Sequence, residues 1–358
     1  MKTVKSLACW RVAIIASLVS LSGVAAAQQS ITVTSWGGAI AAAQQKAMQA
    51  PFTAKTGIKV ISEDYDGGLA EIQSQVKTGN VKWDVVNVEA FDALKGCDEG
   101  LFEKIGYSKL PAGDDGVPAS KDFSKGLMSE CGVPTDLYAN VLAYDKAKYG
   151  GGGPKTINDF FDLAKYPGKR ALRKAPGVAL EWALMADGVA PADLYKTLST
   201  PAGVDRAFKK LDTIKSQLVW WTAGAQPPQL LASGEVVMTS VYNGRIYDAN
   251  VKDKRNFAIV WDGQVQIPEG WVVLKNGKKT ATALDFVRFA TGTQPLAAQA
   301  NIIPYAPPRT SALNKVTGAT KSSLPNAGQT GRVVVSDAEF WSEYGDDINK
   351  RFSAWLAK

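Results

Sequence analysis

Ile31-Thr32-Val33-Thr34-Ser35-Trp36-Gly37-Gly38 is the stretch that decides the fold. Its alternation reads as a strand, and the Gly-Gly pair breaks it. Ala39 to Lys55 is rich in helix formers, with Ala42, Ala47, Met48 and Phe52 available for burial and Gly57 as a stop. Ile58 to Ile61 is the next strand. Leu69 to Lys77 is a second helix, closed near Gly79, and Trp83 to Val88 is a third, buried strand. Phe91 to Glu99 is helical again. Strand–helix–strand–helix–strand predicts a parallel sheet with right-handed crossovers. Ligands of such sheets bind at the carboxyl ends of the strands, where Trp36, Asp66 and Glu89 fall.

Upstream, Met1 to Ala27 has a basic start (Lys2, Lys5, Arg11), an apolar run over Val12–Val19 and a small-residue exit at Ala25-Ala26-Ala27. It reads as a cleaved secretion signal. The mature chain then begins near Gln28, outside the cytoplasm. No later stretch is apolar enough to cross a bilayer.

The 358 residues suggest two domains. The formal charge of +7 drops once the three basic residues of the leader are removed, and charges of both signs are interspersed. No basic stripe argues for nucleic acid. Histidine is absent, which removes the commonest general base, the usual Ser–His and Cys–His pairs and most zinc sites. No nucleophile elbow or phosphate-binding loop is present: at Gly277-Lys278, Val272 and Lys279 stand where glycine and Ser or Thr are required. An enzyme is not expected, and no cofactor is implied. Cys97 and Cys131 remain after the leader, and in an oxidising compartment they form one disulfide; the alternative is two buried thiols.

Further on, Gly150 to Pro154 is a loop before a helix over Thr156–Leu163. A helix runs from Pro201 to about Ser216, and another ends over Gln229–Ala232. Strands are expected over Glu235–Val241, Phe257–Trp261 and Trp271–Leu274. Helices follow over Thr280–Thr291 and Glu339–Leu356.

Trp36-Gly-Gly, Phe52 to Val60 and Trp83-Asp84-Val85-Val86, followed by Asn140–Asp145, Phe160–Leu172, Gln229–Arg245 and Ile302–Tyr305, resemble the periplasmic solute-binding proteins of ABC importers. The nearest group is the spermidine/putrescine-binding type, and the likeness spans the mature chain. It implies an α/β fold of two lobes, the type II periplasmic binding protein fold, with the ligand in the interlobe cleft. Residues 28–138 would form the first part of lobe one and 139–267 lobe two. Residues 268–312 would return to lobe one, and 313–358 would pack on lobe two. The partners implied are a small amine and a membrane permease, and the expected state is a monomer.

Amine binders of this family hold methylenes and cations on aromatic faces and ammonium ends on carboxylates. The resemblance places Trp36 at the first cleft aromatic, with Ala39 where a second would stand. It places Phe91, Tyr242 and Tyr305 at further aromatic positions. Glu269, two residues before Trp271, falls where a carboxylate meets an amine, and Trp271 is counted with it. Glu89 ends a strand, Tyr138 lies at the first crossover, and Glu181 lies near a second acidic cluster. Arg245 departs from the pattern. A polyamine binder has an acidic or small residue there, and an arginine would repel a diamine but pair with a carboxylate. The leading expectation is a receptor for a polyamine such as putrescine or spermidine. The alternative is a carboxylate-bearing amine: γ-aminobutyrate, an opine or an amino-acid derivative. Behind these stand a metal-binding receptor and a secreted enzyme using Glu89 and Glu269 as acid and base.

Overall fold

The structure, a computed structural model, describes residues 29–124 and 129–358. The leader expected over residues 1–27 lies outside the described residues. Strands β1 (Ser30–Ser35), β2 (Lys59–Asp64) and β3 (Val85–Glu89) are parallel in the order β2-β1-β3. The helix after β1 spans 38–56, with a π segment at Gln45–Gln49. It buries Ala47, Met48 and Phe52 against this sheet, while Ala42 is exposed and the neighbouring Ala43 packs toward Ile40 and Tyr138.

A second set, β5 (Arg170–Arg173), β6 (Leu218–Trp221) and β7 (Met238–Tyr242), is parallel in the order β7-β5-β6. Two long antiparallel strands join the sets: β4 (Val133–Asp145) and β8 (Phe257–Val273). The full order is β2-β1-β3-β8-β4-β7-β5-β6, and β9 (Val333–Val335) lies on β8. The result is a two-lobed α/β fold spanned by β4 and β8. The crossings expected near residues 138 and 268 lie within those strands.

Phe257–Trp261 and Trp271–Leu274, expected as separate strands, are parts of one. β8 absorbs Gly263 and its neighbours as a register shift against Asn140/Leu142 instead of breaking. The helix expected over Thr156–Leu163 is one turn, Asn158–Phe161. The strand expected from Glu235 starts at Met238, because Gly234, in left-handed backbone, and the exposed Glu235 still belong to the turn.

The last helix, Ala338–Leu356, seats Trp355 on Phe208 (ring centroids 5.6 Å) and beside Trp220 in the second lobe. From the same helix, Asp346 reaches Lys95 of the first lobe at 2.6 Å. Cys97 and Cys131 are disulfide-bonded, with Cα atoms 5.6 Å apart. The bond ties the helix Ala90–Asp98, which follows β3, to the chain entering β4. No helix among the described residues is long and apolar enough to cross a membrane.

Candidate functional site: an interlobe cavity with opposed charges

The register of three neighbouring strands builds the floor of the cleft. Glu89 on β3 lies opposite Glu269 on β8, and Glu269 lies opposite Asp136 on β4. Directly opposed residues share a sheet face and stand roughly 5 Å apart at Cβ, so like charges there repel. All three are buried, and burial requires compensation.

Two guanidiniums supply part of it. Arg173, at the end of β5 in the other lobe, places Nη1 3.2 Å from Glu89 Oε1. Tyr138 donates its hydroxyl to the same oxygen at 2.7 Å. Arg245, in the first turn of the helix Asn243–Lys252, is 5% exposed and donates from Nη2 to the Gly37 carbonyl at 2.8 Å. Its Nε has no partner. Gly38 lets this arm pass: a Cβ there would overlap the Arg245 guanidinium, and the backbone is left-handed at φ 58°.

Aromatic rings form the walls. Trp36 donates Nε1 to Asn87 Oδ1 at 2.9 Å, and its ring lies 5.0 Å from that of Tyr65. Tyr138 sits 5.0 Å from Tyr242 and 5.6 Å from Tyr305. Trp36, Glu89, Tyr138, Tyr242, Arg245, Glu269 and Tyr305 thus converge on one narrow cavity of about 10 Å³. A larger cavity of about 480 Å³ adjoins it through Trp36 and Glu89, and there Phe91 and Glu181 lie.

Trp271 is the exception. It is fully buried in the first lobe's core, its ring 5.8 Å from Phe286. It shares a strand face with Glu269, but that face passes from cleft to core between the two residues. Trp271 is therefore a packing residue, and its expected place in the cleft is corrected. Trp221 packs on Tyr242 from behind, at 5.6 Å. Arg173, Asp136 and Tyr65 escaped the sequence reading.

Burial, then Asp136 and Glu89, push the Glu269 carboxyl well above the usual range against the pull of Arg245 and Arg173. Burial pushes Asp136 up to about 7, opposed chiefly by the hydrogen bond from Gln299. Burial, then Glu89, lifts Asp92 to about 7, and burial alone lifts Glu181 to about 7. Burial also raises the phenols of Tyr65, Tyr138 and Tyr305 well above their ordinary value, and that of Tyr242 to about 12, so all four are neutral at neutral pH.

These shifts have a consequence for stability. An acid raised on folding keeps its proton in the native state where the unfolded chain has lost it, so stability falls as pH rises between the two values. For Asp136, Asp92 and Glu181 that window runs from about pH 4 to about pH 7, with a slope of at most about 1.4 kcal/mol per pH unit each. The lowered Asp122 and Asp262, held by hydrogen bonds from Ser311 and Arg309 and from Arg332 against the opposing effect of burial, lose their contribution below that window. The unliganded protein is expected to melt higher at about pH 5 than at about pH 8. A melting temperature that climbs steadily between those values contradicts the assignment.

Residues 47–326 match the bacterial extracellular solute-binding protein family. The chain belongs to that family. It is 44% identical to a γ-aminobutyric acid-binding protein of Pseudomonas aeruginosa, over 96% of each chain. A solved γ-aminobutyrate receptor superposes at TM-score 0.79 with 34% identity, covering 92% of this chain and 98% of that one. A binding protein of A. tumefaciens R10 in complex with agropinic acid superposes at 0.81 with 29% identity, covering 92% and 99%. A spermidine/putrescine-binding protein of Streptococcus pneumoniae, at 17% identity and TM-score 0.68, shares the fold alone. The chain is thus a solute-binding receptor of the ABC-transporter type, and its relatives are binding proteins rather than enzymes. Among the described residues no group of three or more His, Cys, Asp or Glu is arranged to hold a metal ion.

Proposed function

We propose that this receptor works in the periplasm and captures a small amine that also carries a carboxylate, γ-aminobutyrate foremost, for an ABC permease. One observation carries the reading: Arg245 and the acidic pair Glu89 and Glu269 line the same small cavity. Arg245 is the bidentate partner of the carboxylate. Glu269, with Glu89 beside it, receives the ammonium end. Trp36, Tyr138, Tyr242 and Tyr305 enclose the methylenes and exclude water. The identity to a γ-aminobutyric acid-binding protein supports this alternative over the polyamine reading, and Arg245 opposes a second ammonium.

Glu89 and Tyr138 come from the first lobe and the crossover strand, and Arg173, Tyr242 and Arg245 from the second lobe. A ligand touching both sides favours the closed form, a population shift that needs no chemistry. The adjoining cavity favours one further reading, a longer amino-acid derivative of the opine kind.

The test is melting of ligand-free protein against γ-aminobutyrate, putrescine, spermidine, opines and common amino acids. A ligand at 100 times its Kd stabilises by about 2.7 kcal/mol. A shift with γ-aminobutyrate and none with putrescine is expected. A shift with diamines alone overturns the proposal.

A further inference from the structure

Three carboxylates stand in a row across β3, β8 and β4, and two guanidiniums face them. Arg173 is committed to Glu89. Arg245 is hydrogen-bonded to a backbone carbonyl. Asp136 has no cation at all. Its Oδ2 accepts from Gln299 Nε2 at 2.7 Å, and its Oδ1 has no partner. Across the strand pair, Glu269 Oε2 is also buried and unpartnered. Two acids so placed, both shielded from water, do not both ionise.

Building on the amine-binding reading above, we propose that Asp136 and Glu269 share one proton in the unliganded receptor and that the ammonium group of a captured solute takes the place of that proton. The exchange balances. The solute keeps its ammonium proton, the pair gives up its own to the buffer, and both carboxylates then stand ionised, Glu269 against the bound cation and Asp136 behind it. Asp136 does not line the cavity, so it acts through Glu269 as a positioning residue that sets how strongly the site takes a cation.

The other groups facing the pair leave it the titrating element. Tyr138, Tyr242 and Tyr305 are neutral phenols, and guanidiniums as a class do not titrate in this range. Asp92 lies one step further, beside Glu89 in the larger cavity, and is tested separately. The upward displacement of both Asp136 and Glu269 agrees with a retained proton.

The probe is γ-aminobutyrate, titrated calorimetrically at about pH 7 in two buffers of different ionisation enthalpy. Wild type should release a sizeable fraction of one proton. Below neutral pH its affinity should weaken by up to about tenfold per pH unit. Asp136→Asn should abolish the release and flatten the pH profile. Asp92→Asn should keep both. Equal heats in the two buffers for wild type, or unchanged release in Asp136→Asn, overturn the proposal. If Asp136→Asn does not fold, Glu269→Gln serves for the ligand-free readout. That readout is the infrared difference spectrum of wild type against variant near neutral pH, in which the carbonyl band of the pair's protonated carboxyl is expected in wild type and absent in either variant, the contributions of Asp92 and Glu181 being common to both. The band without any γ-aminobutyrate binding supports the shared proton and overturns the ligand assignment. A missing band overturns the shared proton itself.

Discussion

Arg245→Met should weaken γ-aminobutyrate binding by about a hundredfold or more while leaving the fold intact. Removing one partner of a buried, hydrogen-bonded charge pair costs roughly 2–5 kcal/mol. Here the partner is the carboxylate of the ligand, and the other guanidinium facing the site among the described residues, Arg173, is held by Glu89. Methionine keeps the unbranched stem and its packing, so the loss reads out in Kd rather than in melting temperature. Lysine should not rescue binding, since a point charge does not reproduce the planar fork. Gly38→Ala tests the same arm from the opposite side: its Cβ would occupy the path of the guanidinium, so a parallel loss is expected. Calorimetry checks all three. Affinity within a few-fold of wild type in Arg245→Met would place the carboxylate elsewhere.

Removing the disulfide gives the second large effect, this time on stability. Cys97 and Cys131 are 34 residues apart, and closing such a loop stabilises by about 3–4 kcal/mol on the chain-entropy model. Cys131 is buried beside Phe102 and Leu101, so the link also anchors a packed cluster. The Cys97→Ser/Cys131→Ser double variant, or wild type under reductant, should melt roughly 5–10 °C lower. The bond ties the helix after Glu89 to the start of the strand bearing Asp136, so ligand affinity should fall modestly as well. An unchanged melting temperature would mean that packing alone holds these segments.

The first lobe was legible because β1, β2 and β3 alternate with helices that end at glycines, the pattern of a parallel α/β sheet. β4 was not. Val133-Pro134-Thr135-Asp136 puts a proline and a buried acid where a strand should alternate, and the crossover's two-sided burial erases polar periodicity. β8 read as two strands because Asp262-Gly263 and Pro268 look like turns, yet pairing with β4 carries the chain through.

Of the residues lining the small cavity, Trp36 and Glu89 were expected from their places at strand ends, Tyr138 from the first crossover, Tyr242, Glu269 and Tyr305 from the family resemblance, and Arg245 from its departure from that pattern. Arg173 was not, since its partner Glu89 lies 84 residues away and the contact forms only where the two lobes meet. Asp136 looks like an ordinary loop acid until strand register sets it opposite Glu269. Trp271 misled because strand parity puts it on the same face as Glu269, and parity does not say where along that face the cleft ends and the core begins.

The most direct test of the central claim is a side-by-side calorimetric titration of the wild-type receptor with γ-aminobutyrate and putrescine. The two share a four-carbon skeleton and an ammonium end, and differ in what stands at the other end. With Arg245 buried in the cavity beside Glu89 and Glu269, γ-aminobutyrate should bind at least about a hundredfold tighter. Equal affinity, or a preference for putrescine, would contradict the assignment of Arg245 to a carboxylate.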